Sequence, residues 1–170
     1  MERGDERSEA FAAWYRVHHP RVFASMLAIS GDREMAAEVA DEAFVRALER
    51  WERVRVMAAP EGWVWVVARN ALRALHRRES RRRRSEMVVA RTGGPGTYEP
   101  DLEVEVWDAI WRLPRRQREV IALRYLLGLT EAEVARALRL APGTVARTLH
   151  DARARLAAAL RDPHTELERP

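Results

Sequence analysis

The chain has 170 residues, 47% hydrophobic and 33% charged, with a net charge of +4 carried by 30 basic residues that are all arginine. That is enough apolar material for a packed core in one medium domain or two small ones, and the lack of cysteine excludes a disulfide framework, thiolate metal sites and a cysteine nucleophile. No run approaches the roughly 18 uncharged apolar residues of a membrane span, and MERGDERSEA lacks the basic-then-apolar pattern of a secretory signal, so a cytoplasmic protein without membrane insertion is expected.

Apolar residues recur at spacings of three and four almost throughout and period-two alternation is lacking, which predicts an all-α chain. The first helix spans about residues 9 to 29, with Phe11, Trp14, Tyr15, Val22, Phe23 and Leu27 as its apolar set. Pro20, which lacks a backbone N–H, is expected to break or kink it. Gly31 stops it, and Asp32 is placed to cap a second helix running to about Trp51. Residues 31 to 52 carry seven acids against three arginines. Glu34, Glu38, Asp41, Glu42 and Glu49 share one face, with Val39, Ala43, Ala47 and Trp51 toward the other. A row of carboxylates repels nucleic acid, so this face suits a basic protein partner or plain water.

After a loop with Met57, Ala58, Ala59 and Pro60, a long third helix opens at Glu61 and Gly62 and continues to Arg84. Residues 61 to 84 hold eight arginines against two glutamates. Val64, Val67, Ala68, Ala71, Leu72 and Leu75 share its apolar face; Trp65, Arg69, Arg73 and Arg77 lie four apart on another, near Asn70 and His76. Arginines so spaced can follow a phosphate backbone, and an exposed aromatic beside them can stack an unpaired base. The same spacing equally describes a solvated basic face with the tryptophans in the core. Gly and Pro crowd residues 92 to 100, so residues 85 to 103 read as a flexible linker between two small helical domains, 9–84 and 104–161.

In the second domain one helix holds Val104, Trp107, Ile110 and Trp111 before Pro114, and the next holds Val120, Ile121, Leu123, Leu126 and Leu127 before Gly128. Thr130 and Glu133 form a capping box on a short helix ending at Leu138. Pro142 suits the first position of a last helix with the stripe Val145, Leu149, Ala152, Leu156 and Leu160. Ala135 is small where two helices would cross, and Thr144, Arg147, Thr148 and Asp151 fall on the solvent side of the last helix. This is the layout of a helix-turn-helix, or of an ordinary helical hairpin with a charged outer face. No histidine stands at ligand spacing with the acids, and the Gly-rich segment lacks the Gly-Lys-Ser/Thr ending of a phosphate loop, so neither an enzyme nor a metal, cofactor or small-molecule site is expected.

The run Ala37-Glu38-Val39-Ala40-Asp41-Glu42-Ala43-Phe44-Val45-Arg46-Ala47 resembles the region-two helix of extracytoplasmic-function sigma factors, of the sigma-70 family. Pro60-Glu61-Gly62-Trp63-Val64-Trp65 with Ala68-Arg69-Asn70 is similar to the next segment of that region. Leu113-Pro114-Arg115-Arg116-Gln117-Arg118-Glu119-Val120, Leu129 to Ala135, Gly143-Thr144-Val145 and Ala152-Arg153-Ala154-Arg155-Leu156 resemble region four. Two matches in the family's order cover nearly the whole chain.

The resemblance implies a region-two bundle and a region-four helix-turn-helix that bring core RNA polymerase to promoters and help to melt them. It implies docking on the beta-prime clamp by Glu38, Asp41, Glu42, Phe44 and Arg46, and capture of a flipped base by the loop from Glu52 to Glu61. Trp63, Trp65, Arg69, Asn70, Arg73 and Arg77 would open and hold the single strand. Thr144, Arg147, Thr148 and Arg153 would read duplex DNA while region four also packs on the beta flap. The linker, acidic at Glu99, Asp101, Glu103 and Glu105, would thread the polymerase interior, and an anti-sigma protein is the expected restraint. Asp41 stands where the family usually has Gln, Arg139 where it has Gly and Ala141 where it has Ser. Ala146, Arg147, Thr148 and Asp151 replace Lys, Ser, Arg and Arg, leaving a less basic recognition helix. Two other classes fit the second domain: a helix-turn-helix regulator that never replaces a sigma factor, and an adaptor that sequesters an anti-sigma protein. With about ten residues after Leu160, no sizeable C-terminal domain is expected.

Overall fold

The computed structural model describes residues 2–85 and 104–161, and every regular element among them is helical. Helix α1 (Glu2–Ser30) runs through Pro20, so the expected break does not occur. Pro20 is exposed, and the one intrahelical bond it forgoes, to the Arg16 carbonyl, is left on the wet side of the helix. At Gly31 φ is +68°, a conformation glycine adopts without Cβ strain, and its N–H reaches the Leu27 carbonyl at 2.9 Å. Asp32 then accepts the Met35 N–H at 2.9 Å and caps α2 (Arg33–Glu49). A single turn, α3 (Trp51–Val54), follows, and α4 (Pro60–Ser85) closes the N-terminal group.

Helices α1, α2 and α4 pack together because each places apolar residues on one side: Val22, Met26 and Ile29; Ala36, Val39, Ala40, Ala43 and Ala47; Val64, Ala68 and Leu72. The alanines of α2 let neighbouring helices approach closely, and burial of the larger side chains supplies the driving force.

In the C-terminal group α5 (Val104–Arg112) leads through Pro114 into α6 (Arg115–Ile121), whose last part widens into a π-helical turn, Ala122–Leu126, before Gly128 at φ +77°. Thr130 caps α7 (Glu131–Leu138) reciprocally: its N–H donates to Glu133 Oε2 at 2.8 Å and its hydroxyl oxygen accepts the Glu133 N–H at 3.3 Å. The Thr130 hydroxyl also donates to Glu133 Oε2 at 2.7 Å, and the two bonds that the carboxylate accepts, from the Thr130 N–H first and then from the hydroxyl, hold it below the ordinary glutamate value. Helix α8 (Pro142–Arg161) buries Val145, Leu149 and Ala152 and leaves Leu160 exposed at its far end.

Arg139 ends α7 in the left-handed region, at φ 55° and ψ 50°, where a side chain bearing Cβ is strained. Arg139→Gly should therefore raise the unfolding free energy by about 1 kcal/mol, measured by urea denaturation followed by far-UV circular dichroism. An unchanged or lower midpoint would show that the guanidinium contributes more than the strain costs.

The two groups are in contact. Helix α1 packs against α5, α6 and the π turn, and α4 packs against α7. Trp111 Nε1 donates to the Leu27 carbonyl at 3.2 Å, and Leu129 Cδ1 lies 3.5 Å from where a Cβ on Gly62 would stand. One continuous set of buried residues runs from Val22 to Ala152. Of the segment expected to be a linker, residues 86–103 lie outside the described residues.

Candidate nucleic-acid and protein-docking surfaces

The exposed face of α2 carries Glu34, Glu38, Asp41, Glu42 and Glu49. Glu42 forms an i, i+4 ion pair with Arg46, and Asp41 is tied across to α1 by a 2.8 Å contact with His19 Nε2. Glu38 projects into solvent on the same face. Phe44, expected to dock, is only 2% exposed. It sits in an aromatic cluster with Trp14, Tyr15 and His19, at centroid distances of 5.2, 5.1 and 5.3 Å. Its contribution is to hold α2 against α1, because a ring so enclosed has no face left for a partner. Burial, assisted by the Asp41 charge, raises the Tyr15 hydroxyl above its ordinary value.

Two residues missed in the sequence complete this surface. Val45 is 57% exposed and Leu48 43%, beside Glu42 and Glu49. Their spacing of three sets an apolar stripe beside the acids, a signal visible in the sequence but masked by the assumption that aliphatic residues face the core. A surface with an apolar centre and a charged rim is suited to a protein partner.

Helix α4 shows a different arrangement from the one its spacing suggests. Trp65 is fully buried and its Nε1 donates to Ser25 Oγ of α1 at 2.9 Å, so it is a core residue and offers no stacking face. Arg69, also expected on the open basic side, is 8% exposed, with its guanidinium 4.9 Å from the Trp65 ring centroid. Burial, and then the neighbouring Arg73, push its pKa down from the ordinary arginine value. Trp63 and Arg73 are half-buried, while Asn70, His76 and Arg77 are exposed. From α6, Glu119, 2% exposed, reaches Arg73 at 3.6 Å and also lies 3.6 Å from Arg115 and 3.3 Å from Arg116. Glu119 is thus a further residue at this site. Nothing local in the sequence reveals that it faces α4.

On α8, Thr144, Arg147 and Arg153 are exposed, and the Thr148 hydroxyl donates back to the Thr144 carbonyl at 2.7 Å. The Arg153 guanidinium donates to the exposed Tyr125 hydroxyl and lies 5.7 Å from that ring's centroid. Asp151 sits among them, so this helix presents mixed charge. Among the described residues no cluster of three or more His, Asp or Glu side chains could hold a metal, and no helix is long and apolar enough to cross a membrane.

The sigma-70 region 2 family model matches residues 14–82, and the sigma-70 region 4 model matches residues 103–156. The chain is 32% identical over 148 residues to the ECF RNA polymerase sigma factor SigL of Mycobacterium tuberculosis, covering 81% of each chain. It is 24% identical over 177 residues to SigW of Bacillus subtilis, covering 95% of this chain and 94% of SigW. Among solved structures it is similar in fold to the sigma factor RpoE of Bartonella quintana, crystallised with the anti-sigma factor NepR. The TM-score is 0.74 at 20% identity, covering 90% of this chain and 98% of RpoE.

Proposed function

Because the chain belongs to the extracytoplasmic-function sigma factors of RNA polymerase, we propose that α2 is its polymerase-docking surface, α4 its strand-holding surface and α8 its duplex reader. The protein directs core RNA polymerase to promoters and assists initiation of transcription. In this reading residues 9–84 form region two and residues 104–161 region four, joined through 85–103. Glu38, Glu42 and Arg46, with the apolar Val45 and Leu48 beside them, meet the beta-prime clamp. Asp41 contributes through its hold on His19, and Phe44 acts from beneath the surface.

Trp63, Asn70, Arg73 and Arg77 hold the displaced single strand, with Arg69 buried beneath them against Trp65, since unpaired DNA is bound by stacking and charge. Thr144, Arg147 and Arg153 contact the upstream duplex while region four rests on the beta flap. The protein works in the cytoplasm, takes no cofactor or small-molecule substrate, catalyses no covalent step and is restrained by an anti-sigma protein. The observation that supports this division most is the segregation of exposed carboxylates on α2 from arginines on α4, because a polyanion and a basic clamp surface demand opposite charge.

Reconstitution with core enzyme tests it: transcripts should start at discrete promoters. Trp63→Ala should lower open-complex formation about tenfold, the loss of one base-stacking partner, while affinity for core stays within about twofold. Permanganate reactivity of unpaired thymines reports opening, and labelled core reports binding. A fall of both together would mean that Trp63 supports the docking surface instead.

A further inference from the structure

The π turn Ala122–Leu126 presents an aromatic side chain to solvent: Tyr125 is 52% exposed, although Ala122, Leu123 and Leu127 around it are buried. Such turns are rare and recur at functional sites. The Tyr125 hydroxyl accepts a hydrogen bond from Arg153 Nε, and the Arg153 and Arg124 guanidinium carbons lie 5.7 and 5.9 Å from the ring centroid. Arg124 is anchored in turn, its Nη1 donating to the Leu129 carbonyl at 3.3 Å. Two guanidiniums therefore meet at one phenol, and neither has a carboxylate partner among the described residues.

A guanidinium carries its N–H donors in a planar fork. The bond from Nε to the phenol fixes the plane of the Arg153 fork and leaves both Nη groups unspent. Spacings of four and three put Ala146, His150 and Arg153 on one exposed flank of α8, contiguous with Arg147. Asp151, two residues before Arg153, projects about 200° further round the helix and does not neutralise it. A recognition helix lying in the major groove has a phosphate backbone beside each flank.

We propose that Tyr125 positions Arg153 for the upstream duplex, so that the free fork takes one phosphate in two parallel hydrogen bonds. The inference rests on the reading of α8 as the duplex reader. It gives Tyr125, on a separate element, a part in that reading, and it supplies positive charge at the edge of a helix that carries Ala146 and Asp151 on its outer side. Phosphate contacts set register without carrying sequence, so the pair strengthens binding to any duplex.

The test titrates holoenzyme, reconstituted from core and the full chain, with two fluorescein-labelled duplexes. One spans the upstream part of a promoter located by transcript start sites; the other has the same composition in scrambled order. Arg153→Gln should weaken binding to both duplexes by the same factor, about tenfold, and lower the slope of log affinity against log salt by about 0.9, the value for one phosphate. Tyr125→Phe keeps the ring and removes the hydroxyl; it should weaken binding about threefold. That loss should vanish when Arg153 is already Gln, because Tyr125 acts through it. Both side chains are exposed, so thermal midpoints should stay at the parent value. A lowered midpoint in Tyr125→Phe, or a loss that persists beside Arg153→Gln, overturns the positioning role. A salt slope unmoved by Arg153→Gln, while Arg147→Ala weakens the promoter duplex, overturns the phosphate contact alone. Should Arg147→Ala also leave duplex binding intact, the reading of α8 falls with it. Weaker affinity for core in place of DNA assigns the pair to a protein contact and overturns the proposal as well.

Discussion

Trp65→Ala should destabilise the protein by about 3–5 kcal/mol, the range for truncating a buried tryptophan. The indole is fully buried between α1 and α4, and its N–H is the partner of the equally buried Ser25 hydroxyl. Truncation opens a cavity and also leaves that hydroxyl unpaired in an apolar setting, two costs that act together. Urea denaturation monitored by far-UV circular dichroism measures the change, and the thermal midpoint should fall by on the order of 10 °C. Trp65→Phe separates the terms: it fills most of the volume and removes the donor, so it should cost only about 1–3 kcal/mol. If Trp65 were an open stacking platform, the alanine variant would stay within about 0.5 kcal/mol of the parent, as surface substitutions do. That outcome would remove Trp65 from the core.

The contrast between Trp65 and its neighbours shows what the sequence can and cannot disclose. Caps are local, so Asp32 before α2 and the Thr130 and Glu133 pair before α7 are legible from residues three apart. The stripe of Val64, Ala68 and Leu72 is legible because burial against one neighbour leaves a single apolar face. Trp65 and Arg69 lie four apart on a different face and read as its exposed side. The indole is buried because α1 covers that face, with Ser25, 40 residues away, receiving its N–H, and the Arg69 guanidinium lies buried against the indole ring.

Phe44 teaches the converse. Position 44 follows Ala40 by four and belongs by periodicity to the buried face of α2, yet the family resemblance drew it into the docking set. The π turn at Ala122–Leu126 and the contact between the two helical groups leave no periodic trace, because both depend on long-range packing. Charge segregation needed no fold at all, and the acidic face of α2 stands in the structure as it reads along the chain.

That acidic face carries the second large expectation. Glu38→Arg combined with Glu42→Arg should reduce affinity for core polymerase about 100-fold, roughly 3 kcal/mol, because each reversal removes an attraction to the basic clamp and installs a like charge against it. The fold should be spared. Both side chains are exposed, and the one intrahelical pair lost, Glu42 with Arg46, stabilises by only about 0.3–0.5 kcal/mol. Val45 and Leu48 remain in place, so apolar contact persists while charge complementarity is inverted. The defect should therefore shrink as ionic strength rises, since screening weakens repulsion and attraction alike. Fluorescence anisotropy of the labelled protein titrated with core enzyme at two salt concentrations reads both effects. Unaltered affinity at low salt, with a folded variant, would mean that the polymerase is gripped elsewhere, and the acids of α2 would then face only water.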